Sequence, residues 1–285
     1  MSKALSLRRL PKMAYTVREL QGAWNFRDVA DSTGVLRPGR LFRSGELSDL
    51  SDDGRDELNR LGITDVADLR SRREVERHGP GRVPDNVKIH LLPIPDLGPD
   101  ELNDDGDAPH EHAFRRLLED KPDDEPVSDA SSRYMTEEYS RFPTYNGAQQ
   151  ALHRVVSLLA DGRSVLAHCF AGKDRTGFTI ALVLEAAGVE RDAIVADFLS
   201  SNQSVPQLRD RILESVRQRS DVEVTPELMA FTEARLSDEV LGVHEDYLDI
   251  ARRTIDENFG SLDGYLRSAG ITETDVARLR AVLLG

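Results

Sequence analysis

The sequence predicts an α/β fold: a central, mostly parallel sheet flanked by helices, with an acidic insertion. Three observations predict it. Short apolar runs of strand length alternate with amphipathic stretches of helix length, the pattern of parallel strands joined by crossover helices. One such run, Val165-Leu166-Ala167, passes through a glycine-bearing loop into a helical stretch, Phe178 to Glu185. A Pro/Gly-rich acidic stretch at about 97–132 breaks the alternation and reads as an insertion.

In chain order, a basic leader occupies residues 1–16 and a single domain spans 17–285. The leader lacks a continuous apolar region and a small-residue cleavage site, so it is not a standard secretory signal and is expected to be disordered. Ordered structure starts at Trp24-Asn25-Phe26-Arg27-Asp28. Leu41-Phe42-Arg43-Ser44 is a short strand, Thr64 to Arg70 another, and Lys88 to Pro93 a third. Between the first two, Ser51 opens a helix ending near Gly62, with Asp52 and Asp53 in the first turn where the helix dipole favours acids. Within the insertion Glu111 to Leu118 is a helical candidate, and Asp120 to Ser132 is expected to be mobile.

A helix over Gly147 to Ala160 places Leu152, Val155, Val156 and Leu159 on one face and ends at Gly162. A further helix runs from about Arg191 to Ser200. The charged helical stretch at about 205–238, broken around Val224-Thr225-Pro226, carries Leu208, Ile212 and Val216 at i, i+4, i+8, then Leu228, Phe231 and Leu236. That stripe covers something apolar, either as a hairpin packed on the core or as a movable lid over a pocket. From Tyr247 to Leu284 two or three helices close the domain.

Composition narrows the function. Hydrophobic and charged contents of 39% and 31% are those of an ordinary soluble protein. No run approaches the ~18 apolar residues that cross a bilayer, so stable membrane insertion is not expected. A net charge of −14 argues against nucleic acid as a partner. One cysteine forbids an internal disulfide and leaves Cys169 without a resolving partner in the chain. The expected location is the cytoplasm, and the expected state a monomer. His110 and His112 alternate in the insertion, but the rest of a metal site is missing, so neither metal nor other cofactor is expected.

The chemistry lies in His168-Cys169-Phe170-Ala171-Gly172-Lys173-Asp174-Arg175-Thr176-Gly177. A strand, a tight loop and a helix start bring several backbone N–H groups and the positive end of a helix dipole around one point. That arrangement holds a phosphoryl dianion and favours the thiolate form of a cysteine facing it. The spacing Cys-x5-Arg lets residues 170–174 curl around a tetrahedral anion while Arg175 grips two of its oxygens with a planar, always-charged fork. Gly172 and Gly177 permit close backbone approach, and Thr176 can cap free N–H groups or hydrogen-bond the sulfur. The reaction this suits is in-line attack of sulfur on a phosphate monoester, giving a cysteinyl-phosphate that water then hydrolyses.

Other readings fit less well. A Walker A loop fails because Ala167 stands where its first Gly belongs and Asp174 where its Mg²⁺-binding hydroxyl belongs. A rhodanese-type sulfurtransferase shares the amide cradle, but the Asp-Arg-Thr-Gly ending favours phosphate over persulfide. A silent phospho-binding module or an acidic scaffold would not need the Cys, Arg and glycines together.

The ten-residue loop, with Asn25-Phe26-Arg27-Asp28, Leu41-Phe42-Arg43-Ser44 and Asp68-Leu69-Arg70-Ser71, resembles the actinobacterial tyrosine/lipid phosphatase family, over about Val17 to Gly285. The resemblance implies a protein-tyrosine-phosphatase-like fold with a two-helix lid, placed at about 205–238. It implies hydrolysis of phosphotyrosine, some of phosphoserine and phosphothreonine, and of phosphoinositides, without a metal. It also implies the possibility of export by a non-standard route. Cys169 is then the expected nucleophile and Arg175 the phosphate clamp, with Phe170, Ala171, Gly172 and Thr176 lining the cradle and His168 tuning it by a hydrogen bond. Lys173 is expected to meet a second phosphate, as on an inositol ring; the alternative is a solvated lysine. Asp174 is the favoured general acid and Asp96 the alternative. Arg43, Arg70 and Asp68 read as framework ion pairs.

Overall fold

The computed structural model describes residues 20–94, 126–217, 225–233 and 235–285. Among the described residues five strands form one sheet: β1 (Arg27–Asp28), β2 (Leu41–Ser44), β3 (Asp65–Asp68), β4 (Lys88–Leu91) and β5 (Val165–His168). Their order is β1-β2-β5-β3-β4, with only β1 antiparallel to its neighbour. The last strand in sequence therefore lies between two earlier ones, in the centre of the sheet. In an open parallel sheet, ligands bind beyond the carboxyl ends of the strands where the strand order reverses. Here Ser44, His168 and Asp68 end their strands in register, so the loops leaving β2, β5 and β3 share that edge.

Alternation along the strands divides the core. Leu41, Ala67, Val165 and Ala167 join the larger apolar cluster, while Phe42, Val66 and Leu166 join a smaller one with Leu47, Leu50 and Leu58. Helices α1 (Val29–Thr33), α2 (Asp52–Arg60) and α3 (Arg72–His78) follow the first three strands. Ser51 caps α2 by accepting the Gly54 N–H. Helix α3 has no apolar stripe, and its start is set by a reciprocal capping box between Ser71 and Glu74.

Helix α4 (Val127–Arg141) corrects the reading of the insertion: its expected mobile end, to Ser132, overlaps an ordered helix that buries Ala130, Ser131 and Tyr139. Helix α5 (Asn146–Ala160) buries Leu152, Val155, Val156 and Leu159 along one face, and Gly162 supplies the positive φ just beyond it. Helix α6 (Asp174–Ala187) is nearly all buried, and α7 (Arg191–Ser200) follows it. Helices α8 (Val205–Arg217) and α9 (Pro226–Glu233) occupy the stretch read as a lid, and α10 (Asp238–Leu241) succeeds them. Three helices complete the chain: α11 (Glu245–Phe259), α12 (Leu262–Ser268) and α13 (Glu273–Leu283). Among the described residues no helix is long and apolar enough to cross a membrane.

Candidate active site

The loop Cys169–Lys173 leaves the centre of the sheet and enters α6 at Asp174. Cys169 is 2% exposed, so the sulfur lies at the bottom of the loop. Gly172 has φ +64, and a β-carbon there would stand 2.0 Å from the Ser44 carbonyl oxygen. Both facts demand glycine, because the loop turns against the end of β2. Thr176 is fully buried, and its hydroxyl has no hydrogen-bond partner among the described residues.

Arg175 is held from behind. Its Nη1 and Nη2 donate to the two carboxylate oxygens of Glu74 at 2.7 and 2.8 Å, and Glu74 is fully buried. Burial alone would lower the Arg175 pKa, but the Glu74 carboxylate overrides it and pushes the value up. The guanidinium has five N–H donors in a rigid fork. The Glu74 pair uses one N–H of each terminal nitrogen and Nη1 also meets the Leu69 and Ile94 carbonyls at 3.4 Å, which leaves Nε–H and the outer N–H of Nη2 on one edge, suited to two oxygens of a phosphoryl group.

Asp174 sits in the first turn of α6, where Tyr139 donates its hydroxyl to Oδ1 at 3.2 Å. Burial, then the Asp174 charge, push the Tyr139 pKa well up, so this phenol keeps the proton it donates. Tyr247 stacks on Tyr139 with ring centres 5.0 Å apart, fixing the donor in turn. Pro95 and Asp96 lie outside the described residues, as do most of the insertion with His110 and His112, and residues 1–19.

Lys173 is not a solvated lysine. It is 7% exposed, and its Nζ donates to the carbonyls of Leu241 at 2.5 Å and Gly242 at 3.5 Å, with Asp174 Oδ2 at 3.6 Å. His168 is fully buried, which pushes its pKa down, and its Nδ1 bonds the Cys169 carbonyl at 3.1 Å. Arg70 pairs with Asp68 at 2.8 Å and Glu46 at 3.3 Å, as framework pairs do.

Over the loop lies a third apolar cluster, in which Trp24, Phe170 and Ala171 meet Val205, Leu208, Leu213, Leu236 and Leu241. Phe170 stands edge-on to Trp24, at 6.1 Å between ring centres, and the Arg211 guanidinium covers Trp24 at 5.6 Å. Arg211 also reaches Glu46 at 3.2 Å and Asp49 at 3.3 Å. Helix α8 is thus tied to the loop's rim by packing and by exchangeable ion pairs.

Two residues that hold the site were not singled out from the sequence. Glu74 stood in a charged stretch, although the Ser71-x-x-Glu74 spacing of a capping box was available. Asp197, in α7, is buried and takes Arg27 at 3.0 Å and Arg43 at 2.5 Å.

Comparison with known proteins agrees with this geometry. Residues 18–285 match the profile of the tyrosine phosphatase family. The triple specificity protein phosphatase PtpB of Mycobacterium tuberculosis is 65% identical over 276 residues, covering 94% of this chain and 99% of that protein. A relative from Cupriavidus necator, also named among the tyrosine-protein phosphatases, is 34% identical over 90% of this chain and 84% of its own. A tyrosine-protein phosphatase of Nostoc commune is 25% identical over 90% of this chain and 78% of its own. The chain belongs to the tyrosine phosphatase family.

Proposed function

We propose that this phosphatase hydrolyses phosphotyrosine, phosphoserine/phosphothreonine and phosphoinositides through a cysteinyl-phosphate intermediate. The observation that carries this is the loop itself: one buried thiol at the carboxyl end of the central strand, facing a guanidinium whose free edge fits two phosphoryl oxygens. The name of the Mycobacterium tuberculosis relative, a triple specificity phosphatase, supports a broad substrate range.

In this reading Cys169 attacks phosphorus in line, the P–O bond to the leaving group breaks, and the departing oxygen takes a proton. Arg175 and the loop amides hold the equatorial oxygens, where charge collects in the transition state. Asp174, oriented by Tyr139, supplies the proton to the leaving oxygen. The same carboxylate then takes a proton from the water that splits the S–P bond, restoring the thiolate. If so, Asp174→Asn flattens the basic limb of the kcat pH profile. A normal basic limb in Asp174→Asn, with its loss in Asp96→Asn, would transfer the role to Asp96.

Helices α8 and α9 form a lid in the closed position. The carbonyls of Leu241 and Gly242 lie at the end of α10, so an opening that carries α10 along with α8 and α9 frees Lys173 from them, and its ammonium then meets a second phosphate on substrates that carry one. The test is phosphate release from phosphotyrosyl, phosphoseryl and phosphoinositide substrates, by the wild type and by Lys173→Ala. All three classes are expected to turn over in the wild type. Lys173→Ala is expected to lose about tenfold more kcat/KM on the phosphoinositide than on the phosphopeptides, one charged contact's worth. Equal losses on all three would end the second-phosphate role, and an inactive wild type would end the phosphatase reading.

A further inference from the structure

In a trans peptide the carbonyl and the next residue's N–H point in opposite directions, so whatever holds a loop's carbonyls decides where its amides aim. Four consecutive carbonyls of the phosphate loop are held by groups outside it. That of Phe170 accepts the Glu46 backbone N–H at 2.9 Å. Those of Ala171 and Gly172 both accept from Asn25 Nδ2, at 2.9 and 3.1 Å. Those of Gly172 and Lys173 accept from Arg43 Nη2, at 2.7 and 3.3 Å, and the Lys173 carbonyl also accepts the Gly177 N–H of α6 at 2.9 Å. The amides of Ala171, Gly172, Lys173 and Asp174 are thereby turned the opposite way, into the loop's interior.

We propose that Asn25 and Arg43 are positioning residues for the phosphatase reaction, their donors holding the carbonyls of Ala171, Gly172 and Lys173 outward so that the loop amides face the phosphoryl group. The inference rests on the phosphatase reading above and names residues that never touch substrate.

Both donors are over-determined for this task. Asn25 is the only non-glycine among the described residues with positive φ, at 53°. Such a conformation costs a non-glycine residue free energy and persists only where its surroundings enforce it. A glycine would adopt it freely, so the side chain must contribute what glycine cannot. Arg27 Nη1 donates to Asn25 Oδ1 at 2.6 Å, which fixes the amide with Nδ2 toward the loop. Arg43 is fully buried, and its other terminal nitrogen, Nη1, is anchored on Asp197 Oδ2 at 2.5 Å. Asp197 also takes Arg27 Nε at 3.0 Å, so one carboxylate aligns both guanidiniums. Burial alone would raise the Asp197 pKa, but the two guanidiniums beside it hold it down to about 2. The three residues together carry one net positive charge beneath the loop, which suits an anionic substrate.

Two substitutions separate positioning from a mere turn requirement. Asn25→Gly keeps the backbone conformation and deletes the donor. Asn25→Asp keeps the size and the Arg27 contact but sets an acceptor against two carbonyl oxygens. Each variant, checked for a wild-type circular dichroism spectrum, is compared with the wild type for kcat and KM on para-nitrophenyl phosphate and for inhibition by orthovanadate. Both are expected to lose about 10–100-fold in kcat, the scale of misdirected oxyanion donors, with orthovanadate inhibition weakened by a similar factor. Arg43→Lys, which keeps the charge at Asp197, is expected to move both quantities in the same direction. Wild-type kcat and vanadate inhibition in Asn25→Gly would overturn the proposal, as would lost turnover with vanadate inhibition intact. Should Asn25→Asp not fold, Asn25→Gly decides alone. An inactive wild type would strike the phosphatase reading instead, which keeps the two failures distinguishable.

Discussion

Cys169→Ser is expected to abolish turnover of para-nitrophenyl phosphate, by at least ~10⁴-fold in kcat, while leaving phosphopeptide binding measurable. The asymmetry follows from how the site is divided. Binding is the work of the loop amides and of Arg175, and the substitution touches neither. Attack is the work of the sulfur alone. A serine hydroxyl is un-ionised near neutrality and the described residues offer no base at that point: His168 is buried, its Nδ1 is engaged with the Cys169 carbonyl, and its pKa is pushed down by burial. The buried Thr176 hydroxyl, without a partner among the described residues, can donate to an anionic sulfur but cannot activate a neutral oxygen. Initial rates and calorimetric titration with a phosphotyrosyl peptide check both halves. Turnover within tenfold of wild type would show that another group starts the reaction. Loss of binding together with turnover would show that the sulfur also builds the cradle.

Much of this site was legible in the sequence because its parts are contiguous. The strand Val165–His168, the loop and the helix from Asp174 follow one another, and each carries its own local signal: an apolar run, glycines, then a buried helical stretch. The strands Leu41–Ser44 and Asp65–Asp68 were readable for the same reason. What stayed hidden is pairing across distance. Arg43 and Asp197 are 154 residues apart, and Arg175 and Glu74 are 101 apart. Nothing local marks a charge that will be buried beside its opposite. Helix Arg72–His78 was missed because six of its seven residues are charged or histidine, so no apolar period exists to find. Helix Val127–Arg141 was missed in part because it buries Ala130 and Ser131, small residues that read as loop next to an acidic, proline-bearing stretch. Lys173 shows the same limit from another side. Its charge suggested substrate, whereas its partners in this structure are two carbonyls some seventy residues away, at the end of α10.

The clamp behind Arg175 yields the other large effect, and here stability and activity should part. Glu74 is fully buried and accepts from both terminal nitrogens of Arg175, while Oε2 also takes the Ser71 N–H at 2.8 Å. Glu74→Gln keeps the shape and removes the charge, leaving a buried guanidinium without its counterion. Breaking a buried pair from one side costs about 3–5 kcal/mol, since the remaining charge stays desolvated. At roughly 2–4 °C per kcal/mol for a domain somewhat smaller than this one, Tm should fall by about 10 °C. Activity should fall as well, by about 10²-fold in kcat/KM, because the fork is no longer aimed at the phosphoryl oxygens. A second substitution separates the two losses. Adding Arg175→Met removes the orphaned charge, so the double variant should regain part of the lost Tm. It should nevertheless be less active than Glu74→Gln, having no clamp at all. A Tm within about 2 °C of wild type for Glu74→Gln, less than one kcal/mol by the same scale, would mean that the pair does not carry the buried charge. A double variant no more stable than the single would mean that the damage lies in the capping box of α3, where the Glu74 carboxylate also accepts the Ser71 N–H.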